Sequence, residues 1–562
     1  MMLTRGWRLY GLLLALALTA CDSLISPQQR IERARTALDS GKMGLAAIEL
    51  QKAVRAEPDN SEARFLLARM SLLSGDPVGA QQDLIRAIRA GAKGPAVDAL
   101  RVETWLATNQ PQALIDAFAR NELSLAEPER SVALARAYNA LGQPEHAIEA
   151  LASQLTAHPH VTAARLAHAQ ALVLRGESEQ ALHEIDAVIE ADQRSSAAVL
   201  LKGVILMHRG QYAMAEEALV LAHGRTSGST PLNERAFGLA ALTEAQLAQG
   251  KIAAASESEG VLLKVAPEAP VTRLLGARLK LARGDYLNGI ADLQRLVARA
   301  PQFLPARVAL GAAQLLQGNL LQSEAQLADV VAQAPDNLEA RKLLARVRLQ
   351  LYQPDAALRV LTPALDADAA DPEFYSLLGA ARWCAGDADS ALGALERGRR
   401  ANPADRNLKL DLAQGYLAAG RAKDALALLE PRDTAKEDFR HDALRIAAVS
   451  AIGGPRAARA EIEQLLKAHP AGVVTLNVAA SYFTSQWEFE RARVLLREAL
   501  TLDSHDVLSR TNLARVEVAT GDLAGAQASL EVVLAADERN TAVRIALSDI
   551  MLRRGSFAAA QH

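Results

Sequence analysis

The side chains that could perform chemistry are scattered along this sequence rather than gathered into a catalytic motif. Catalysis requires a convergent nucleophile, base and stabiliser, or a set of metal ligands. The sequence contains no phosphate-binding P-loop, no dinucleotide-binding glycine motif, no H-E-x-x-H zinc motif and no G-x-S-x-G nucleophile motif. Its Asp and Glu residues are expected on exposed helix faces, paired with basic residues four positions away. We therefore predict a protein that is not an enzyme and holds no cofactor.

Histidine and cysteine, the usual zinc ligands, form at most one local group. His158, His160 and His168 are expected on a surface turn and the helix after it, with a metal site as the alternative. Two Cys among 562 residues exclude a disulfide scaffold and a multi-cysteine zinc site. Cys384 falls in a predicted helix and is expected to be a buried structural thiol. No metal site is predicted.

The first Cys, in contrast, lies where a thiol has a specific use. Arg5 and Arg8 precede an apolar run over residues 9–20, which is too short to span a bilayer and has the pattern of a secretion signal. The run ends in a motif that resembles the bacterial lipobox, in which the Cys thiol receives a diacylglyceryl group: Leu18, Thr19, Ala20 and Cys21. The alternative is an ordinary signal peptide with a chance Cys.

This resemblance implies a signal peptide over residues 1–20 and a lipidated Cys21 with a short tether over residues 21–26. Each buried CH₂ of an acyl chain contributes about 0.8 kcal/mol, so more than one chain gives a stable anchor. The implied location is the periplasm of a Gram-negative bacterium. Asp22 resembles the residue that retains enteric lipoproteins in the inner membrane, so we favour that membrane over the outer one.

The elements that position the remaining residues are revealed by a 34-residue period. Glycine recurs at one repeat position, numbered 15, where it permits the left-handed turn that ends a first helix. Five residues later, at position 20, a small residue permits close crossing by a second helix. The position-15 glycines are Gly41, Gly75, Gly142, Gly176, Gly210, Gly250, Gly284, Gly318, Gly386, Gly420, Gly453, Gly521 and Gly555.

This pattern resembles the tetratricopeptide repeat, a helix-turn-helix unit. We predict an all-α fold, a right-handed superhelical solenoid of such repeats with period 34. The predicted divisions are an N-terminal array over 27–222, an irregular insertion over 223–235 and a C-terminal array over 236–562. The sequence ends before position 24 of its last repeat. This indicates either a truncated reading frame or a true terminus at which the first helix of the last repeat acts as the cap.

Six repeats place arginine at position 9, which in tetratricopeptide arrays resembles a groove-lining site. The guanidinium group is a forked donor for carboxylates on a peptide or an acidic glycan. The alternative is that these arginines are solvated or pair with carboxylates of neighbouring second helices. The candidate groove-binding residues are Arg35, Arg69, Arg136, Arg278, Arg346 and Arg515.

Composition limits the class of partner. Lys and Arg total 62 against 65 for Asp and Glu, a net charge of −3, and both signs are interleaved along the chain. Nucleic-acid binding, which needs a basic surface, is therefore not predicted. Aromatic residues make up only 4% of a chain that is 50% hydrophobic, as expected for many small helix–helix interfaces.

The lipobox directly before the first repeat, followed by SPQQRIERARTALDSGKMGLAAIELQKAV, is similar to the tetratricopeptide lipoproteins of exosortase and PEP-CTERM systems. That resemblance implies a role in exopolysaccharide production or export, or in sorting PEP-CTERM proteins. The leading hypothesis is a lipid-anchored periplasmic scaffold that binds envelope proteins. The alternatives are a chaperone that binds anionic exopolysaccharide directly and a general adaptor of outer-membrane or periplasmic assembly.

Overall fold

The computed structural model describes residues 25–40, 42–226, 230–365, 371–430, 438–536 and 540–554. These residues form α-helices joined by short turns, with one 3-10 helix and no strand among them. The chain divides into two compact units, an N-terminal unit that ends at Ala313 and a C-terminal unit that begins at Gln314, so the division falls within the helix Leu304–Leu316. The predicted all-α fold of helical hairpins is confirmed for the described part of the chain.

In the N-terminal unit each odd-numbered helix is the first of a hairpin (helix A) and each even-numbered helix is the second (helix B). Most helices are 13 or 14 residues long. The helices are α1 (Pro27–Asp39), α2 (Met43–Ala56), α3 (Ser61–Leu73), α4 (Pro77–Arg89), α5 (Pro95–Ala107), α6 (Pro111–Ala119), α7 (Glu129–Ala140), α8 (Pro144–Ala157), α9 (Thr162–Leu174), α10 (Ser178–Ala191), α11 (Ser196–His208), α12 (Tyr212–Gly224), α13 (Leu232–Ala248), α14 (Ile252–Val265), α15 (Pro270–Ala282), α16 (Tyr286–Arg299) and α17 (Leu304–Leu316).

Beyond α17 the C-terminal unit begins with a helix B, and odd-numbered helices are helices A up to a long helix in which the two helices of one hairpin run together. After that long helix the even-numbered helices are helices A. A 3-10 helix over Thr362–Ala364 follows α20. The helices are α18 (Leu320–Gln333), α19 (Leu338–Gln350), α20 (Pro354–Leu361), α21 (Pro372–Cys384), α22 (Ala388–Ala401), α23 (Arg406–Ala418), α24 (Ala422–Leu429), α25 (Phe439–Ala468), α26 (Val473–Ser485), α27 (Phe489–Leu502), α28 (Val507–Ala519), α29 (Leu523–Ala536) and α30 (Thr541–Arg553).

Local side-chain hydrogen bonds explain where many helices A begin. The Asn60 amide oxygen accepts the Ala63 backbone N–H at 2.9 Å, and Asn337 and Asp405 make the equivalent bonds before α19 and α23. Each such cap satisfies a backbone donor that has no partner inside the helix. The residue type at the cap position therefore determines locally where helix A begins.

The turn between helices A and B has a positive φ at position 15, as predicted, for example 78° at Gly75 and 74° at Gly420. At Gly453 the expected positive φ is absent, and the next residue, Gly454, has it instead, with φ 74°. Pro455 follows directly and continues the helix beyond this kink. In three further repeats a non-glycine residue takes the same conformation, and glycine spacing alone missed them: Asn109, Tyr352 and Trp487.

Small residues at position 20 are buried where the two helices of a hairpin cross. Ala391 and Ala458 have no exposed surface, and neither does Ser323. At Gly289 an added Cβ would lie 2.7 Å from the Leu281 Cδ2 atom, so no larger residue fits without a shift. The predicted steric reason for this position is confirmed at these sites.

Within each unit the hairpins stack in chain order, each helix contacting the next, as in a solenoid. The largest described core lies in the C-terminal unit, where Phe374 and Tyr375 of α21 are fully buried against Leu408 and Leu412 of α23. The cores elsewhere are built mostly from Ala and Leu. Helices A of neighbouring repeats consequently lie side by side and share one face.

The irregular segment predicted over 223–235 is narrower in the structure. Helix α12 continues to Gly224 and α13 begins at Leu232, so both ends of the predicted insertion are helical. Helix α13 has 17 residues, compared with 13 in α11. Four of the extra residues therefore extend a helix A at its N-terminus instead of forming a loop.

Candidate functional site

Four of the six position-9 arginines are paired with glutamates of their own chain. Arg136 donates twice to Glu103, with Nη1–Oε1 at 2.5 Å and Nη2–Oε2 at 2.9 Å. Arg278 binds Glu244, which also occupies position 9 of the preceding helix A. Glu103 likewise lies on the preceding helix A, whereas the partners of the other two arginines lie on the following helix A: Arg35 binds Glu62 and Arg346 binds Glu373.

These pairs differ in location from those considered from the sequence, because the carboxylates belong to helices A and not to helices B. The paired arginines bridge neighbouring repeats along the shared helix-A face. Arg69 and Arg515 are exposed and have no ion pair within the described residues. Two guanidinium groups are therefore free to meet an external carboxylate.

A groove on the helix-A face of the C-terminal unit, called here the C-terminal groove, lies between α19, α21 and α23. It has a volume of about 430 Å³, within the range of ligand pockets. Leu377, Ala380, Trp383 and Ala418 form its apolar surface. Its polar lining comprises Arg346, Glu373, Ser376, Cys384, Asp411 and Gln414.

Two glycines, one on α21 and one on α23, allow α22 to approach the floor of this groove closely. At Gly379 a Cβ would lie 2.7 Å from the Leu395 Cγ atom, and at Gly415 it would lie 3.0 Å from the Leu392 Cδ2 atom. Ala380 occupies position 9, where other repeats carry arginine. Small residues therefore leave space here, a signal that the search for arginine at position 9 overlooked.

Charged groups at both ends of the C-terminal groove are internally paired. At one end Lys342 Nζ lies 2.9 Å from Asp371 and 2.8 Å from Glu373. Burial alone would lower the pKa of Lys342, but these hydrogen bonds and the nearby carboxylates outweigh it and raise the pKa above its usual value. At the other end Asp411 accepts hydrogen bonds from Arg440 and from the Ser376 hydroxyl, both at 2.5 Å.

A second groove, called here the N-terminal groove, lies on the helix-A face between α7, α9 and α11. It has a volume of about 420 Å³ and is also lined by Leu106 of α5. Its apolar lining includes Val173, Leu174, Leu201 and Val204. The polar groups facing it are Arg136, Asn139, Gln170 and His208.

One Cys is placed differently from expectation, and the Trp residues occupy different surroundings. Trp487 lies on a turn with 80% of its surface exposed. Cys384 was expected to be buried and is exposed at the end of α21, because α21 directs that position into the C-terminal groove. Trp383 packs beside the core and lines that groove, whereas Trp105 lies below the Arg101 guanidinium at 4.8 Å.

The expectation that acidic residues are all solvent-exposed was wrong at several sites. Glu49 is buried and binds Arg30 at 3.1 Å, and Asp98 is buried and accepts the Ser124 backbone N–H at 2.9 Å. Glu517 is also buried, with Ser529 donating to it at 3.0 Å. These carboxylates join elements between 12 and 26 residues apart in sequence, and the helical period does not reveal which residues pair.

The three histidines considered as a metal site are not arranged around a common point. His158 and His160 are exposed on the turn between α8 and α9, as predicted, while His168 Nδ1 contacts Glu184 at 2.8 Å. Among the described residues no group of three or more His, Cys, Asp or Glu side chains is arranged to hold a metal ion.

The proposed lipidation site, with Leu18, Thr19, Ala20 and Cys21, lies outside the described residues, as does the end of the chain after residue 554. None of the helices in the described segments has the length and apolar character needed to cross a membrane.

Comparisons with known proteins identify the repeats. Three family models of the tetratricopeptide repeat match the chain, at residues 31–95 and 166–229, at 315–381, and at 408–431 and 507–531. A comparison with curated proteins finds no match.

Solved structures with similarity to the chain include the anaphase-promoting complex hetero-tetramer Cut9-Hcn1. The matched chain of that structure is 14% identical in sequence to this chain, with a TM-score of 0.45. The match covers 89% of this chain and 98% of the matched chain. Another is Naa15/Naa10 bound to HypK-THB, with 14% identity, a TM-score of 0.29 and coverage of 95% and 97%.

Proposed function

From the premise that this chain is an array of tetratricopeptide repeats, a scaffold suited to protein–protein interaction, we propose that its helix-A grooves bind segments of envelope proteins. The observation that carries the proposal is the C-terminal groove, where apolar side chains lie between two internally paired charge clusters. Removing water from such a surface costs little free energy, because its charged groups already have partners within the chain. It can therefore bury an apolar anchor of a partner protein.

The finer proposal is a lipid-anchored periplasmic scaffold in exopolysaccharide production or export, or in sorting of PEP-CTERM proteins. Its support is the lipobox-like sequence ending at Cys21 and the similarity of the N-terminal region to lipoproteins of that system. Acyl chains on Cys21 would hold the chain at the inner membrane. The role of the chain would then be to concentrate partners at that surface.

The test is quantitative mass spectrometry of proteins that co-purify with the detergent-solubilised full chain from its native envelope. Ala380→Trp fills the C-terminal groove at an exposed position, and Ala419→Trp is the matched control because Ala419 is exposed and does not line the groove. We expect polysaccharide synthesis, export or sorting proteins that are depleted by Ala380→Trp and retained by Ala419→Trp.

Other outcomes contradict specific parts of the proposal. If the depleted proteins are confined to outer-membrane assembly or folding factors, the chain is a general adaptor and the exopolysaccharide role is wrong. If neither substitution changes the co-purifying proteins, the C-terminal groove is not the binding site.

A second candidate, direct binding of anionic exopolysaccharide, is favoured by the two unpaired arginines. Arg69→Glu combined with Arg515→Glu should reduce retention on an immobilised anionic glycan such as alginate. Arg278→Glu is the control, because that guanidinium already pairs with Glu244. Retention that is unchanged in the double variant would refute glycan binding through these residues.

A further inference from the structure

The first two helices B, α2 and α4, expose large apolar side chains on their outer sides. Five such side chains have between 38% and 58% of their surface exposed: Leu45, Ile48, Val78, Ile85 and Ile88. Helix α3 contacts both helices and covers their inner sides. Single exposed apolar residues are normal on a protein surface, whereas a group of them marks an interaction site. We call this group the outer surface of α2 and α4.

Unpaired basic side chains share the outer surface. Arg55 follows Ile48 by seven residues, and Arg89 follows Ile85 by four, so each arginine lies on the same helix face as an apolar residue. Both arginines are exposed, and neither has an ion pair within the described part of the chain. The outer surface therefore combines apolar area with free positive charge.

The acidic residues of the two helices are already neutralised. Helix α2 contains one, Glu49, which is buried and binds Arg30 at 3.1 Å. Helix α4 contains one, Asp83, whose Oδ1 atom lies 2.6 Å from the Arg64 Nη1 atom. Exposed carboxylates on the turns beyond these helices are Glu57, Asp59 and Asp76. The outer sides of the helices themselves thus carry net positive charge.

The apolar area continues from α4 into a cleft of about 330 Å³. Ile85, Ile88 and Arg89 line the cleft from α4, and Arg101 and Trp105 line it from α5. Tryptophan is enriched at the level of lipid headgroups, because its ring is apolar and its N–H is polar. The cleft therefore adds a third element to the outer surface.

The following helices B have the opposite character. Helices α6, α8 and α10, all of whose residues are described, expose no large apolar side chain. Helices α8 and α10 contain no Lys or Arg and expose only acidic side chains of full charge: Glu145, Glu149, Glu179 and Glu190. Apolar area and positive charge thus coincide in the two hairpins that follow the predicted lipidation site.

We propose that the outer surface of α2 and α4 docks on an anionic phospholipid bilayer. The apolar side chains enter the boundary between headgroups and acyl chains, and Arg55 and Arg89 meet lipid phosphates. This inference rests on the proposed function, because it assumes that the chain works at a membrane. It adds a second contact to the acyl anchor and leaves the helix-A face of the N-terminal unit accessible to partners.

The distance to the predicted lipidation site agrees with this placement. Pro27, the first residue of α1, follows Cys21 by six residues, which span at most about 20 Å. Helix α1 packs against α2. An acylated Cys21 would therefore keep the first hairpin at the bilayer, and a single acyl signal gains from a basic surface beside it.

A second copy of the chain is a poorer occupant. Its acidic helices α8 and α10 could meet the basic residues, but they offer no exposed large apolar side chain to cover those of α2 and α4. A bilayer supplies both an apolar layer and negative charge. The lipid surface is therefore the occupant that matches both features.

The test is co-sedimentation of the mature chain carrying Cys21→Ser, so that no acyl chain contributes, with phosphatidylglycerol or phosphatidylcholine vesicles. We expect binding to phosphatidylglycerol at least about tenfold tighter than to phosphatidylcholine, since each free basic residue contributes about fivefold at an anionic surface. Binding should weaken at least about tenfold in roughly 1 M NaCl, where the Debye length is about 3 Å.

Charge reversal locates the basic part of the surface. Arg55→Glu combined with Arg89→Glu should weaken binding to phosphatidylglycerol vesicles more than about twentyfold. Arg397→Glu combined with Arg400→Glu is the matched control, because both residues are exposed on α22, a helix B that exposes no large apolar side chain. The control makes the same change in net charge and should leave binding within about twofold of the parent.

The apolar part is tested in the same way. Ile48→Ser combined with Ile85→Ser should weaken vesicle binding about tenfold or more, through the loss of two buried side chains. Leu287→Ser combined with Leu321→Ser removes equally exposed apolar residues from α16 and α18 and should have little effect.

Three results would overturn the inference: no binding to phosphatidylglycerol, an equal loss in a double variant and its control, or a dimer in analytical ultracentrifugation that Arg55→Glu with Arg89→Glu dissociates. The last result would assign the outer surface to a second copy. If no vesicle binding occurs while Ala380→Trp still depletes envelope proteins, this inference fails and the proposed function stands. Vesicle binding without any envelope partner would support the docking surface and contradict the proposed scaffold.

Discussion

The same substitution, glycine to alanine, should have opposite effects at two positions of helix α22. At Gly398 an added Cβ would lie 2.5 Å from Tyr375 Cβ, 2.7 Å from Tyr375 Cγ and 2.9 Å from Leu408 Cδ2. At Gly393 no heavy atom lies within 4 Å, and the residue is exposed. Both glycines are inside the helix and neither has a positive φ.

The magnitudes follow from two competing terms. Alanine is favoured over glycine inside a helix by about 1 kcal/mol, which applies at both positions. At Gly398 the Cβ meets the first side-chain atom of Tyr375, which cannot rotate away, and overpacking costs typically 1–3 kcal/mol. We expect Gly393→Ala to stabilise the hairpin by up to about 1 kcal/mol and Gly398→Ala to destabilise it by up to about 2 kcal/mol.

The appropriate assay is amide hydrogen exchange of peptides from α21 and α22, because repeat arrays open locally and a global transition would average the effect. Each 1.4 kcal/mol changes the opening equilibrium about tenfold. Exchange in α22 should therefore be slower in Gly393→Ala and faster in Gly398→Ala. Equal protection in both variants would refute the close packing assigned between α21, α22 and α23.

Three further predictions concern the hairpin crossing, the anchor and a buried carboxyl group. Ala391→Leu should force α21 and α22 apart and lower the free energy of unfolding by about 1–3 kcal/mol, because Ala391 is fully buried. Ala388→Leu, at an exposed position of the same helix, is the control. Equal urea midpoints for the two variants would contradict the position-20 assignment. Cys21→Ala should leave a soluble or unprocessed protein in cell fractionation; a processed variant that stays wholly with the lipid fraction would show that the anchor is not Cys21. Burial raises the pKa of Glu517, so the folded chain binds its proton more tightly than the unfolded chain. Local stability at α28 should fall as pH rises from the unfolded pKa of Glu517 through its raised folded pKa, and hydrogen exchange of Glu517→Gln should lack that dependence; the same pH profile in both proteins would assign it to another group.

The hairpins themselves could be predicted from the sequence because their causes are local. A capping residue such as Asn60, a positive φ at Gly75 and a small residue at Ala391 act within one hairpin of the array. Their 34-residue recurrence is visible without knowing how the hairpins pack. Prediction of the turns failed where glycine was absent or displaced, as at Tyr352, Trp487 and Gly454.

The binding surface depended on contacts that no local pattern encodes. Arg136 was recognised as a candidate, but its pairing with Glu103 depends on how two neighbouring helices A align, 33 residues apart in sequence. The exposure of Cys384 likewise depends on how neighbouring helices A pack. The sequence by itself determined a repeated hairpin, since turns and crossings are set by near neighbours. Only the tertiary structure decided which charges are neutralised and where the grooves lie, because both depend on the packing of one repeat against the next.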